Sequence, residues 1–500
     1  TTHIGTTNAI GNLTINAEAG TGEITLRGNI GDGETAGAAI VTIGNGSGTA
    51  TDLLDFDGTV YNSSGASSYS GESITLSGAD PNFITDGADV KFSDGTITLA
   101  TASDLTVHTG EGGEGDITVA GKILGTDDGT ATTVTLDAGT GDITLSEEIG
   151  GTGNDDIGAV SLTGATITLT DHITTGAGNL DVEGNTVLED AVIVATANGT
   201  VDFSGTITSA VNEDNNFTIN SGTGNVTISD AIGTASASNG EIGTLKINAE
   251  GGVNDIEIED IAGAALTLIG SPETDVLTLT GTTYTTTDDA EYEGEGIVIS
   301  GTNPTFTSNT KNIDFLDAAD DSIKLGNSSN LTVNSTGAGS ISFATDIIGS
   351  ASGAATDLTV NAGSGDVTVF AIGDATNDIN NISLTGATVN LKGNVVTGNW
   401  TDSGTEQIGS FLIGEGSDVE LFGASITIDT DNASGTGGAV TFPETVEADD
   451  NNATLTITSG AGKVTFQGII GGEDNEHLGG LTINASEGTG IIEIEQIGDA

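Results

Sequence analysis

The stretch LTVNAGSGDVTV at residues 358–369 returns again and again along the chain. Earlier versions are LTINAEAGTGEITL (13–26), VTLDAGTGDITL (134–145), FTINSGTGNVTI (217–228) and LKINAEGGVNDIEI (245–258). Later ones are LTITSGAGKVTF (455–466) and LTINASEGTGIIEI (481–494). Each is an apolar–polar–apolar triplet, a small turn of Gly, Asn, Asp or Ala, and a second such triplet. Period two puts the outer residues of a triplet on one face and the middle residue, usually Thr, on the other. The pattern predicts short β-strands joined by glycine-rich turns, whose G-x-G-D, N-D, D-D-G and S-G sequences supply positive φ and local side-chain bonds. No segment of ten or more residues combines 3.6 periodicity with helix caps.

The same comparison reveals a longer period. Leu13 returns at Leu245, offset 232, and again at Leu481, offset 236. GTVYNSSGASSYSGESITLSGADPNF (58–83) matches GTTYTTTDDAEYEGEGIVISGTNPTF (281–306) at offset 223, pairing Tyr61 with Tyr284 and Tyr69 with Tyr292. SLTGATITL (161–169) matches SLTGATVNL (383–391) at offset 222. We therefore divide the chain into 1–12, the end of a preceding repeat; 13–244 and 245–480, two long repeats; and 481–500, the start of a third. The shifting offset locates insertions: nine extra residues between 26 and 58, and sixteen between 391 and 455, a stretch that holds Trp400, the only tryptophan.

Two or three short strands per coil, stacked coil on coil, satisfy this pattern. An open sheet of so many strands would leave long unpaired edges; a solenoid leaves edges only at its ends. The expected fold is all-β, a parallel, right-handed β-solenoid built from tandem long repeats. Tandem β-sandwiches would instead repeat at roughly 100 residues.

Composition agrees. Aromatic residues make up 4%, so the core expected is a thin stack of Val, Ile, Leu and Ala. Seventy-three acidic residues against eight basic ones give a net charge of −65. At about 24 residues and ~4.8 Å per coil the chain would extend roughly 100 Å, a line charge approaching that of DNA. Such a surface repels nucleic acid and anionic membranes and attracts counterions. With no Cys, disulfides and thiolate chemistry are excluded. The absence of Met, of a signal peptide and of a membrane-spanning run suggests a processed chain or a segment of a longer one.

The cadence LTVNAGSGDVTV, SLTGATVNL and GTTYTTTDDAEYEGEGIVISGTNPTF resembles the filamentous-haemagglutinin-like giant surface proteins. The resemblance covers nearly the whole chain. It implies a right-handed β-helical rod outside a prokaryotic cell, used for adhesion, surface coating or fibre building.

Catalysis is not expected. His3, His108, His172 and His477 do not recur at their repeat-equivalent positions, and Arg27 is the only arginine. That leaves little to hold an acidic polysaccharide. Divalent cations are the stronger expectation. The pairs Asp127-Asp128, Asp155-Asp156, Asp288-Asp289, Asp320-Asp321 and Asp449-Asp450 sit in predicted turns, where carboxylates and carbonyls suit Ca²⁺. The competing reading is that acids in turns keep the protein soluble. For ligands, the inserted loop with Trp400 is a candidate to bind a glycan or receptor; Tyr61, Tyr69, Tyr284 and Tyr292 could stack on sugars, but the preferred reading is that they cover the core at one corner, since they repeat along with Pro81 and Pro304. The expected partners are further copies in fibres or bundles, divalent cations and glycans, with neither nucleic acid nor membrane insertion. The functional expectation is a non-enzymatic extracellular fibre segment, with an adhesin that binds a glycan or receptor through an inserted loop as the alternative.

Overall fold

A computed structural model describes the chain except for residues 1–3, 6–9, 17–21, 33–36, 45–52, 111–113, 126–131, 152–154, 235–239, 249–253, 272–275, 318–321, 327–328, 350–355, 378, 399–400, 403–404, 407, 432–434, 450–452, 472–476, 486–489 and 499–500. It forms two compact units, Thr1–Asn254 and Asp255–Ala500. Each unit is a parallel β-solenoid with three strands per turn, one on each of three faces.

In the first unit one turn runs Ser73–Leu76 (face I), Asn82–Thr85 (face II) and Val90–Phe92 (face III). The next runs Thr96–Leu99, Leu105–His108 and Ile117–Val119, and each strand pairs in parallel with the one before it on its own face. The second unit repeats the plan. Val276–Leu279, Thr283–Thr286 and Ala290–Gly294 are followed in register by Gly296–Ile299, Thr305–Ser308 and Ile313–Asp317. Among paired strands the turns differ in length, from the short one between Leu169 and Leu188 to the long one between Val395 and Ile428. The one antiparallel pair among the described residues is the hairpin Thr401–Asp402/Thr405–Glu406. Parallel pairing within a face excludes the sandwich alternative, whose strands run antiparallel.

Alternation is what makes these triplets strands. In Ser73–Leu76 and Thr96–Leu99 the apolar residues are buried and the Ser and Thr residues between them reach the surface. Ile74, Ile97 and Ile123 then stack turn on turn as an inward ladder, each fully buried.

The core is not only aliphatic. Its largest fully buried side chains are tyrosines and phenylalanines. Tyr61 stacks on Phe83 at 4.8 Å between centroids and Tyr69 on Phe92 at 5.2 Å. One long repeat later Tyr284 stacks on Phe306 at 4.4 Å and Tyr292 on Phe315 at 5.3 Å. Of the two roles open to these four tyrosines the core role holds, and their stacking on sugars is ruled out: their exposure is 1% or less. The rings sit inside because Tyr61 and Tyr284 fall on the inward phase of their strands. Each hydroxyl there accepts a backbone N–H, from Gly58 at 2.8 Å and from Gly281 at 2.9 Å. Burial pushes all four phenols well above the ordinary tyrosine range.

Neither insertion adds a turn. Glu23 pairs directly with Leu53 just as Asp255 pairs with Val276, although a longer stretch of chain separates the first pair. Two turns separate Leu391 from Leu455, as two separate Leu169 from Phe217. Of the sixteen additional residues, nine lie between Val395 and Phe411 and five between Ile428 and Val440. Both are the corner where face I turns into face II.

Candidate functional site

Two features of the surface repeat with the coils, and one does not. The first is a ladder of short polar side chains at the corners. Asp89 Oδ1 accepts the N–H of Asp116 at 3.0 Å, Asp116 Oδ1 that of Asp142 at 2.9 Å, and Asp142 Oδ1 that of Thr166 at 3.1 Å. Thus each side chain satisfies a backbone donor one turn on. At the matching corner of the second unit Asp289 Oδ1 accepts from Asn312 at 2.9 Å, Asn312 Oδ1 from Ser340 at 2.9 Å, Ser340 Oγ from Asp366 at 3.2 Å and Asp366 Oδ1 from Thr388 at 3.2 Å. Asn216 and Asn330 do the same for Thr244 at 2.7 Å and Asp357 at 3.0 Å. Corner Asp and Asn residues therefore close the turns that Gly makes tight.

The second repeating feature is acid stacked on acid. Asp181 pairs with Asp202 and Glu291 with Asp314 in adjacent strands, an arrangement that like charges oppose. Burial, and then the Asp181 charge, raise the Asp202 carboxyl above its ordinary value. Burial followed by Glu291 and Asp289 does the same to Asp314, and burial followed by Glu291 to Glu293. Asp374 is the opposite case. Burial pushes it up, but hydrogen bonds from Asn377 and Thr376, side chain and backbone, outweigh that and hold it at about 2.

The expected Ca²⁺ pairs divide. Asp127, Asp128, Asp320, Asp321 and Asp450 lie outside the described residues. Asp288 binds Lys311 Nζ at 2.8 Å, which lowers its carboxyl below the ordinary value, and Asp289 belongs to the corner ladder. The backbone carbonyl of Asp155 accepts the Gly125 N–H at 3.1 Å, and the Asp449 N–H donates to Leu421 at 3.1 Å. Among the described residues, no three carboxylate or imidazole side chains converge on one point. His108 and His172 each face a single carboxylate, Asp137 at 3.7 Å and Asp171 at 3.3 Å.

The non-repeating feature is the enlarged corner of the second unit. In ordinary turns a buried Thr at the end of face I closes the corner onto a glycine carbonyl three residues on: Thr175 Oγ1 to Gly178 at 2.8 Å, Thr196 Oγ1 to Gly199 at 2.7 Å. In the enlarged turns the same bond is made across an insertion, Thr397 Oγ1 to Gly409 at 2.8 Å and Thr430 Oγ1 to Gly438 at 2.9 Å. The loops are spliced into a closed corner and leave the stacking beneath unchanged. The first carries the hairpin Thr401–Glu406 and the exposed Ile408; Trp400 lies outside the described residues.

Sequence reasoning had one signal for this corner, the jump in repeat offset. It had none for the corner ladder, because the acceptor and donor sit 22 to 28 residues apart and their geometry exists only once turns are stacked. No protein-family model, curated protein or solved structure matches the chain.

Proposed function

We propose that this protein is a non-enzymatic structural segment of a giant prokaryotic cell-surface protein, working as a fibre or rod outside the cell. The observation that carries this reading is redundancy. Both units are built with the same inward aromatic stack and the same corner ladder, one long repeat apart. Repetition of a scaffold with its chemistry unchanged suits a mechanical task better than a catalytic one. The cadence shared with filamentous-haemagglutinin-like proteins supports the exterior location, and the charge of −65 supports cation-dependent spacing between neighbouring copies. Immunogold labelling of intact source cells, with a deletion strain as control, tests it. Surface label together with lost or thinned surface fibres in the deletion strain is the expected result; label confined to lysed cells contradicts it.

A second reading, an adhesin, has its own support. An adhesin needs a site that does not repeat, and residues 391–455 of the second unit depart from the first by sixteen added residues. A glycan array probed with the full chain separates the readings: a pure fibre leaves every glycan unbound.

A further inference from the structure

The two long repeats differ at a second place in these same turns. Directly after three successive face III strands stand Phe370, Lys392 and Phe422. Lys392 N–H bonds Val369 at 2.8 Å and Phe422 N–H bonds Leu391 at 2.9 Å, which places the three side chains in one column, one per turn. The Lys392 ammonium lies 5.6 Å from the Phe370 centroid and 5.4 Å from that of Phe422.

These rings are unlike the other aromatics. Of thirteen phenylalanines, eleven are buried, as are all four tyrosines. Phe370 and Phe422 are the two aromatic side chains among the described residues that keep a solvent-facing surface. The fold does not require them. The matching column of the first unit holds Ser146, Thr170 and Glu189, where Thr170 N–H bonds Leu145 at 3.1 Å and Glu189 N–H bonds Leu169 at 2.9 Å. That turn closes equally well without a ring. One turn beyond Phe422 the column ends on exposed Asp449.

We propose that Phe370, Lys392, Phe422 and Asp449 form a binding site for a neutral glycan strand lying across successive turns of the second unit. The proposal rests on the adhesin reading and gives it a site and a ligand class. Two rings two turns apart stand about 10 Å from each other, at ~4.8 Å per turn, a separation comparable with a disaccharide. Their electron-rich faces suit the polarised C–H faces of pyranose rings. Between and beside them Lys392 supplies donors and Asp449 an acceptor for hydroxyl groups. An acidic polysaccharide would meet the field of a chain carrying −65, which selects for uncharged sugars.

Isothermal titration of the full chain with cellohexaose, xylohexaose and chitohexaose, against oligogalacturonate as the acidic control, tests the site. We expect saturable binding of at least one neutral hexasaccharide and none of the galacturonate. Phe370→Ala and Phe422→Ala should each weaken binding tenfold or more, Lys392→Gln severalfold, and Phe422→Tyr little, with the β-sheet circular dichroism retained. Neutral-glycan binding that survives both alanine variants overturns the site and leaves the adhesin reading standing. A drop in melting temperature with binding unchanged reduces the column to a cation–π staple between turns and also overturns it. If none of these oligosaccharides binds, the site is overturned, while the adhesin reading keeps a receptor as its ligand and the structural role is untouched.

Discussion

At Gly199 a methyl group would be driven into the carbonyl of Gly178 one turn below, and at Gly224 into that of Gly199. Neighbouring turns approach so closely at this corner that a Cβ has no room, which accounts for much of the chain's glycine. Gly199→Ala should therefore destabilise the first unit by about 1–3 kcal/mol, the usual cost of overpacking, read as a lowered denaturation midpoint. Removing the Tyr284 hydroxyl as Tyr284→Phe leaves the Gly281 N–H without its acceptor and should cost about 1 kcal/mol. Tyr292→Ala, which empties a fully buried site, should cost about 3–5 kcal/mol. Strand phase was legible for these residues: Tyr61 and Tyr284 follow the alternation that buries Val and Ile. The identity of their ring partners was not, since Phe83 and Phe306 belong to the following turn and reach them only through stacking.

At the scale of the element, the corner ladder makes a prediction about charge. Asp116→Asn keeps the Oδ1 that accepts the Asp142 N–H and removes one negative charge from the stack Asp89–Asp116–Asp142. It should be neutral or stabilising, as the chain's own use of Asn at Asn312 and Asn381 suggests. Asp116→Ala removes the acceptor and should cost about 1 kcal/mol. Thermal melts of the two variants decide the matter, because a purely solubilising acid would give them the same shift. The turn residues were readable as turns from their Asp, Asn and Gly content. Their hydrogen bonds to the next turn were hidden, because nothing local in DGADVKFSDG or GEGDIT encodes a partner a full turn away. Insertions were equally readable as positions and opaque as structure: the offset jump from 222 marks the loop, yet only the strand pairing across it, Ile382 with Phe411, and the Thr397–Gly409 bond reveal that no turn is added.

At the scale of the molecule the acids set the response to pH. Asp202, Asp314 and Glu293 have raised values in the folded chain. Between the ordinary value, 3.8 for Asp, and the raised one, the folded state holds more protons than the unfolded state. Stability therefore falls as pH rises through that window and is recovered on acidification. Asp374, held at about 2, works the other way: its contribution is present above 3.8 and lost as pH falls toward 2. At low ionic strength the melting temperature should thus rise from pH 7 toward the region just above 3.8 and fall again below it. Differential scanning calorimetry across pH checks the sign. Added Mg²⁺ and Ca²⁺ should raise the melting temperature alike if cations act by screening, whereas a response to Ca²⁺ alone would indicate built Ca²⁺ sites.

If stacked, hydrogen-bonded turns carry force, pulling a single molecule by its two ends shows it most directly. Release should come in repeated steps of one turn, each freeing roughly 70–100 Å of extended chain at ~3.4 Å per residue. Each step should reverse on relaxation. One cooperative rupture that frees a whole unit at once would contradict it.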